Sequence, residues 1–170
     1  SIPSESECYP AKLSHGHVQW LIKNGITTIF HPCIFYEKQE TPDAQNHFNC
    51  PIVVSYAENL KNNVEAVTNG DVKYIRPFIA FTDEKTVLSR LAELCGKEWD
   101  IPENEVQKAV KLAWAEQIKA KEDIRAEGKR LIENMENKGG YGIVLAGRPY
   151  HIDPEINHGI PELIASYGLS

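Results

Sequence analysis

Five parts of the chain carry apolar residues at the spacing of an amphipathic helix. In the first, Leu13, Trp20 and Leu21 recur at helical spacing, and Gly25 follows at a position that suits a helix end. Proline opens or glycine closes each of the others, which is how helices are commonly bounded. The predicted helices span Pro10–Asn24, Pro51–Val67, Asp83–Gly96, Pro102–Asn137 and Pro161–Tyr167.

Three short apolar runs lie between these helices and predict strands. They are Thr27–His31, which Pro32 stops, Val72–Phe81, in which Pro77 must lie at an edge or a bend, and Tyr141–Ala146, which glycines bound. Helices and strands that alternate in this way favour a mostly parallel sheet with helices on both faces. The sequence therefore predicts an α/β fold, a Rossmann-like three-layer lobe with a parallel sheet.

The long helix divides the predicted fold into three parts. Residues 1–100 form the cysteine-bearing Rossmann-like α/β lobe, residues 101–138 the long connecting helix, and residues 139–170 the beginning of a second α/β unit. The chain starts without Met and stops just after a predicted helix, where a strand would normally follow. We therefore expect an excised piece of a larger protein, with an incomplete second lobe.

The composition is that of an ordinary globular domain and restricts the classes of partner. Of 170 residues, 42% are hydrophobic and 25% are charged, and the net charge of -6 argues against binding to nucleic acid or to an anionic membrane, since both need clustered Lys and Arg. No apolar run is long enough to span a membrane and the first residues are polar, so we expect a cytoplasmic protein. In that reducing compartment, cysteines at special positions indicate metal binding or catalysis.

Three of the four cysteines lie where the predicted elements meet. Cys8 precedes the first helix, Cys33 follows the first strand, and Cys50 is at the N-cap of the second helix. A proline lies close to each of them, and helix N-termini favour the negative charge of a thiolate. Because strand-to-helix loops gather at the carboxyl edge of a parallel sheet, we expect the three thiols to meet there and to hold a 4Fe-4S cluster with one iron left open.

Other interpretations of the cysteines stay open. Free cysteines often pack as small hydrophobic residues, which is what we expect for Cys95 on the apolar face of its helix. Zinc is a second metal option, although the chain lacks the closely spaced cysteine pair of most structural zinc sites. The histidines available to complete such a site are His15, His17, His31 and His47.

A second candidate site follows the last predicted strand. Arg148, Tyr150 and His151 lie in the loop after Tyr141–Ala146 and therefore at the binding edge of the second α/β unit. The guanidinium could bind a phosphate or a carboxylate, and CoA would supply such groups. The alternative is a loop arginine paired with Asp153.

Several sequence motifs together resemble a known family. Residues 4–12 have the sequence SESECYPAK around Cys8, His31-Pro32-Cys33 and Cys50-Pro51 come next, and residues 147–159 have the sequence GRPYHIDPEINHG. In combination they resemble the uncharacterised domain of large acyl-CoA dehydratase activase-related proteins, the CoA-substrate-specific enzyme activases. That domain is in turn similar to the subunits of 2-hydroxyacyl-CoA dehydratases.

The resemblance implies a function and a set of ligands. In the dehydratase relatives, three cysteines on Rossmann-like lobes hold a 4Fe-4S cluster that receives an electron from an ATP-driven activator, and Cys8, Cys33 and Cys50 would correspond to those ligands. The implied function is an iron-sulfur redox module of an ATP-coupled protein, in low-potential electron transfer or reductive chemistry on a CoA thioester or another small substrate. The chain has no G-x-x-x-x-G-K-[ST] loop, so we expect the ATPase activase domain to be a separate partner. The alternative is a non-catalytic docking or small-molecule-binding Rossmann-like domain of a larger protein.

Overall fold

The computed structural model describes residues 7–169, which form seven helices, four strands and one 3-10 turn. The helices are α1 (Tyr9–Lys23), α2 (Pro51–Asn63), α3 (Glu65–Thr68), α4 (Glu84–Trp99), α5 (Glu103–Asn137), α6 (Pro154–Asn157) and α7 (Ile160–Ser166). The strands are β1 (Thr28–Phe30), β2 (Cys33–Glu37), β3 (Lys73–Ile75) and β4 (Phe78–Phe81), and the 3-10 turn covers Pro149–Ile152. The predicted α/β class with parallel strands is confirmed.

The four strands form two parallel pairs, β1 with β3 and β2 with β4. Phe30 lies opposite Ile75 at the end of the first pair, and Cys33 lies opposite Phe78 at the start of the second. The offset between partners is the same in the first pair and at the start of the second, so the register continues from one pair into the next, and it shifts by one residue between Ile34 and Tyr36. The two pairs are therefore the halves of one ladder between residues 28–37 and residues 73–81.

Two prolines that lie opposite each other divide this ladder. Beside them, the N–H groups of His31 and Cys33 donate to the carbonyl groups of Ile75 and Pro77, both at 2.8 Å. Along each strand, every second N–H points towards the partner strand. Pro77 lies at a position whose N–H would have bonded the His31 carbonyl, so one bond of the ladder is lost there. Pro32 lies at a position whose N–H would have pointed away from the partner strand, so it costs no bond of the ladder. The sequence analysis ended the first strand at Pro32 and so missed β2.

The helices of the first half agree with the predicted ones except at their ends. The helix predicted to run from Pro51 towards Val67 ends at Asn63, and α3 follows after Val64. α4 continues past Gly96 and ends at Asp100, whose φ of 54° is left-handed. The backbone N–H groups of Asp100 and Ile101 then donate to the Gly96 and Cys95 carbonyl groups, which satisfies the end of the helix.

The chain divides into two compact units, Ser1–Leu112 and Ala113–Ser170, with the division inside α5. The first unit has a core between helices and strands, to which α1 contributes Val18, β1 contributes Ile29 and α2 contributes the fully buried Leu60. The other buried residues of this cluster are Val64, Val67 and Val72. Over residues 7–169, no helix combines the length and the apolar character that are needed to cross a membrane.

The second unit has no buried side chain among residues 113–169. The strand predicted at Tyr141–Ala146 is wrong, because residues 141–148 have no regular secondary structure and Val144 is 92% exposed. A strand is stable only when a neighbour satisfies its backbone groups. The part of the chain that the structure describes provides no such neighbour for this segment.

Candidate functional site

Cys8 and Cys50 occupy equivalent positions at the start of two helices. Each is an exposed N-cap residue, and each is followed by a proline in the first turn of its helix. α1 leads through a short turn into β1, whereas α2 lies in the connection from β2 to the parallel strand β3 and therefore runs opposite to the strands.

The loop before Cys50 is hydrogen-bonded to β2. The backbone N–H of Asn49 donates to the Phe35 carbonyl at 3.0 Å, and its side-chain amide donates to the Ile34 carbonyl, also at 3.0 Å. Ile34 and Phe35 directly follow Cys33 in the strand. These bonds place the start of α2 beside the residues that follow Cys33.

Cys33 differs from the other two cysteines. It follows β1, as predicted, but it is also the first residue of β2, a strand that was not predicted, and its exposed fraction is 0%. Burial and the nearby Glu58 carboxylate raise the pKa of the Cys33 thiol, and the Arg76 guanidinium only partly opposes them. The buried thiol is therefore held in its protonated form at neutral pH.

Four polar side chains lie near Cys33. Arg76 Nε and Glu58 Oε1 form an ion pair at 2.7 Å, and His31 Nδ1 lies 2.7 Å from the Tyr74 hydroxyl. Burial lowers the pKa of His31. Burial raises the pKa of Tyr74, the nearby Cys33 and Glu58 raise it further, and the Arg76 guanidinium opposes them. The environment of Cys33 is thus polar and hydrogen-bonded, but it disfavours additional negative charge.

The second candidate site, predicted at Arg148, Tyr150 and His151, lies in the second unit. Arg148 and His151 line a cavity of about 610 Å³, and the Tyr150 ring packs against His151 with 4.6 Å between ring centroids. Within residues 7–169, no carboxylate forms an ion pair with Arg148. The alternative partner, Asp153, instead accepts a hydrogen bond from the Glu155 N–H at 2.9 Å.

A family model described as CoA enzyme activase uncharacterised domain (DUF2229) matches residues 1–170. The chain belongs to this family. The resemblance seen in its sequence motifs is therefore confirmed. No curated protein and no solved structure matches this CoA enzyme activase domain.

The three cysteines of the CoA enzyme activase domain fit an iron-sulfur cluster only in part. Three thiols have the donor chemistry of a 4Fe-4S cluster, and two of them are exposed at helix N-termini. Among residues 7–169, however, no three Cys, His, Asp or Glu side chains come close enough together to hold a metal ion. The three thiols also differ in environment, because Cys33 is buried in β2 whereas Cys8 and Cys50 are exposed at the starts of α1 and α2.

Three of the histidines considered for zinc have protein partners in the CoA enzyme activase domain. His15 Nδ1 lies 3.1 Å from the Ala11 carbonyl, and His47 Nδ1 lies 2.6 Å from the Glu37 carbonyl. His31 is bonded to Tyr74, as described above. Each ring keeps a second nitrogen, but no zinc-binding group of three side chains forms in the part of the chain described.

The sequence analysis missed Glu58, Tyr74 and Arg76. The sequence contains a signal for Tyr74 and Arg76, because a residue followed by proline occurs in both predicted strands, as His31-Pro32 and as Arg76-Pro77. Aligning the two prolines in a parallel pair places Arg76 opposite His31 and gives the observed register. Glu58 carries no comparable signal, since its approach to Cys33 depends on how α2 packs.

Proposed function

We propose that this domain is the iron-sulfur module of a CoA enzyme activase-related protein, with Cys8, Cys33 and Cys50 as ligands of a 4Fe-4S cluster. The pair of exposed cysteine N-caps, each followed by a proline in the first turn of its helix, is the observation that supports this proposal best. The first N–H groups of a helix have no partner within the helix and favour a negative charge. Two helices that each present a thiol in this way suit the thiolates and sulfides of a cluster.

The role of Cys33 requires a local change. Its thiol is buried and protonated, but a metal ion displaces the proton of a thiol that coordinates it. The hydrogen bonds of Asn49 hold the start of α2 beside the residues after Cys33, and the proposal requires this loop to move Cys50 towards Cys33. Metal binding commonly supplies the free energy for such a rearrangement.

The proposed cluster would supply one-electron transfer at low potential. The family description names CoA, and we propose a CoA thioester or a similarly small substrate, with an ATPase activase domain in the cytoplasm as the source of electrons. Three cysteine ligands would leave one iron open for the substrate or for another ligand.

Anaerobic reconstitution of the chain with iron and sulfide tests the proposal. We expect a brown protein with about four iron ions per chain, and we expect Cys8→Ser and Cys50→Ser each to abolish the colour and the iron. Cys95→Ser is the matched control, because Cys95 is a half-buried thiol in α4 outside the proposed ligand set. It should assemble the cluster like the unchanged chain.

Cys33→Ser separates the complete proposal from a two-cysteine site. We expect it to lose the cluster while its circular dichroism spectrum stays that of the unchanged chain. An unchanged chain that remains colourless and free of iron after anaerobic reconstitution would contradict the cluster. That outcome would favour the alternative, a docking or small-molecule-binding domain, which the exposed apolar side chains of the second unit support.

A further inference from the structure

A cavity of about 610 Å³ lies within the second unit and shares no residue with the cysteine site. Its volume falls in the range of small-molecule sites, roughly 300–1,000 Å³. Four large aliphatic side chains contribute to its walls and leave room for an apolar ligand of several carbon atoms. They are Leu145, Ile152, Ile156 and Ile160.

Arg148 is the charged residue in the lining of this cavity. Across residues 7–169 no carboxylate neutralises it, and Asp153 is engaged with the backbone N–H of Glu155. A guanidinium presents several N–H donors in a plane that matches a carboxylate or a phosphate. The cavity therefore combines an apolar body with a single positive charge.

The loop geometry fixes the ring of His151 beside Arg148. The backbone N–H of Arg148 donates to His151 Nδ1 at 3.1 Å, so the proton of the neutral ring is on Nε2, which is left as a donor. Gly147 permits this position, because a Cβ there would lie 2.4 Å from His151 Nδ1. The Tyr150 ring supports His151 from another side. Two donors, the guanidinium and the imidazole, thus belong to one constrained loop.

We infer that this cavity binds a small organic anion with a short apolar chain. The chain lies against Ile152, Ile156 and Ile160, while Arg148 holds the anionic group and His151 Nε2–H donates a second hydrogen bond. A free fatty acid, with its carboxylate, and an acyl-CoA, with its phosphates, are two sources of the same chemistry. The inference does not depend on iron, and its acyl-CoA arm rests on the CoA thioester of the proposed function.

Isothermal titration calorimetry on the iron-free 170-residue chain tests the inference, with hexanoate and hexanoyl-CoA as probes and hexylamine as the charge-reversed control. We expect at least one of the two anions to bind and hexylamine not to bind. Arg148→Gln should weaken anion binding about tenfold or more, because a hydrogen bond to a charged group is lost. Arg130→Gln is the matched control, since Arg130 is an exposed arginine paired with Glu127 on α5, and it should bind like the unchanged chain.

Gly147→Ala gives a second, independent variant. The added methyl group displaces the His151 ring without removing either donor, and we expect weaker anion binding with unchanged circular dichroism.

Binding of hexanoate would show that a free carboxylate is sufficient for binding. Binding of hexanoyl-CoA alone would show that the phosphate-bearing thioester is required. The inference is overturned if neither anion binds, if hexylamine binds equally well, or if Arg148→Gln behaves like Arg130→Gln. Cluster assembly in Arg148→Gln should be normal, so the two proposals fail separately.

Discussion

Leu60 is one of the largest fully buried side chains of the first unit. It is fully buried in α2 and packs in one cluster with Val18 of α1 and Ile29 of β1. Close-packed interiors relax only partly when atoms are removed, so a truncated side chain leaves a cavity as well as a lost transfer free energy. Burial also distinguishes the cysteines from one another, because Cys33 is buried whereas Cys8 and Cys50 are exposed to solvent.

We predict that Leu60→Ala lowers the free energy of unfolding by about 2–5 kcal/mol, measured by urea denaturation. Leu112→Ala makes the same chemical change at a side chain that is 72% exposed, and it should alter the free energy by less than about 0.5 kcal/mol. Equal effects of the two substitutions would contradict the core described here.

At the scale of the elements, α4 begins with a capping interaction. Asp83 is its N-cap, and the Asp83 carboxylate accepts hydrogen bonds from the backbone N–H of Thr86 at 2.9 Å and from its hydroxyl at 2.7 Å. These bonds to Thr86 lower the pKa of Asp83 below its usual value. The cap therefore contributes stability above the pKa of the unfolded state and loses it as the pH falls through the lower pKa of the folded state.

We predict that Asp83→Ala lowers the Tm at pH 7 and that the difference from the unchanged chain shrinks below about pH 4, where the carboxylate becomes protonated. Thermal denaturation followed by circular dichroism at several pH values measures this. Glu84→Ala, one residue further on, removes a carboxylate that does not cap the helix and should have a smaller effect at pH 7. A difference between Asp83→Ala and the unchanged chain that stays constant down to pH 2 argues against the cap.

The elements also show what sequence reasoning can and cannot reach. The helical pattern is local, since one amphipathic stripe specifies α5 from Glu103 to Asn137, and that prediction is confirmed within one residue of its start. The apolar run at residues 141–146 has the local pattern of a strand. A strand also needs a partner, however, and nothing in the described chain pairs with this segment. β2 was not predicted for a related reason, because a proline inside a ladder has the same sequence signal as a proline that ends a strand.

At the scale of the whole molecule, the two units differ in how their backbone is protected. In the first, buried side chains cover the parallel ladder and α2. In the second, no side chain among residues 113–169 is buried, and the N–H groups of residues 141–147 have no hydrogen-bond acceptor within the described chain. Local stability follows burial and backbone hydrogen bonding.

We predict that hydrogen exchange followed by mass spectrometry shows residues 141–147 exchanging at nearly the rate of an unfolded peptide. The amides of β3 and α2 should exchange slower by several orders of magnitude. Residues 38–46, in the loop between β2 and α2, give an internal reference for an irregular segment of the first unit. Protection of residues 141–147 equal to that of β3 would show that this segment is paired.

The outer side of residues 28–37 is an open edge of the kind through which proteins recruit one another into aggregates. Much of it is already closed, because the Glu37 N–H donates to the His47 carbonyl and the Phe35 carbonyl accepts from Asn49. Pro32 offers no N–H at the middle of that edge, so an incoming strand from another copy finds only the short stretch of β1 to bind. The proline that interrupts the ladder thus also shortens the part of this edge with which a strand of another copy could pair.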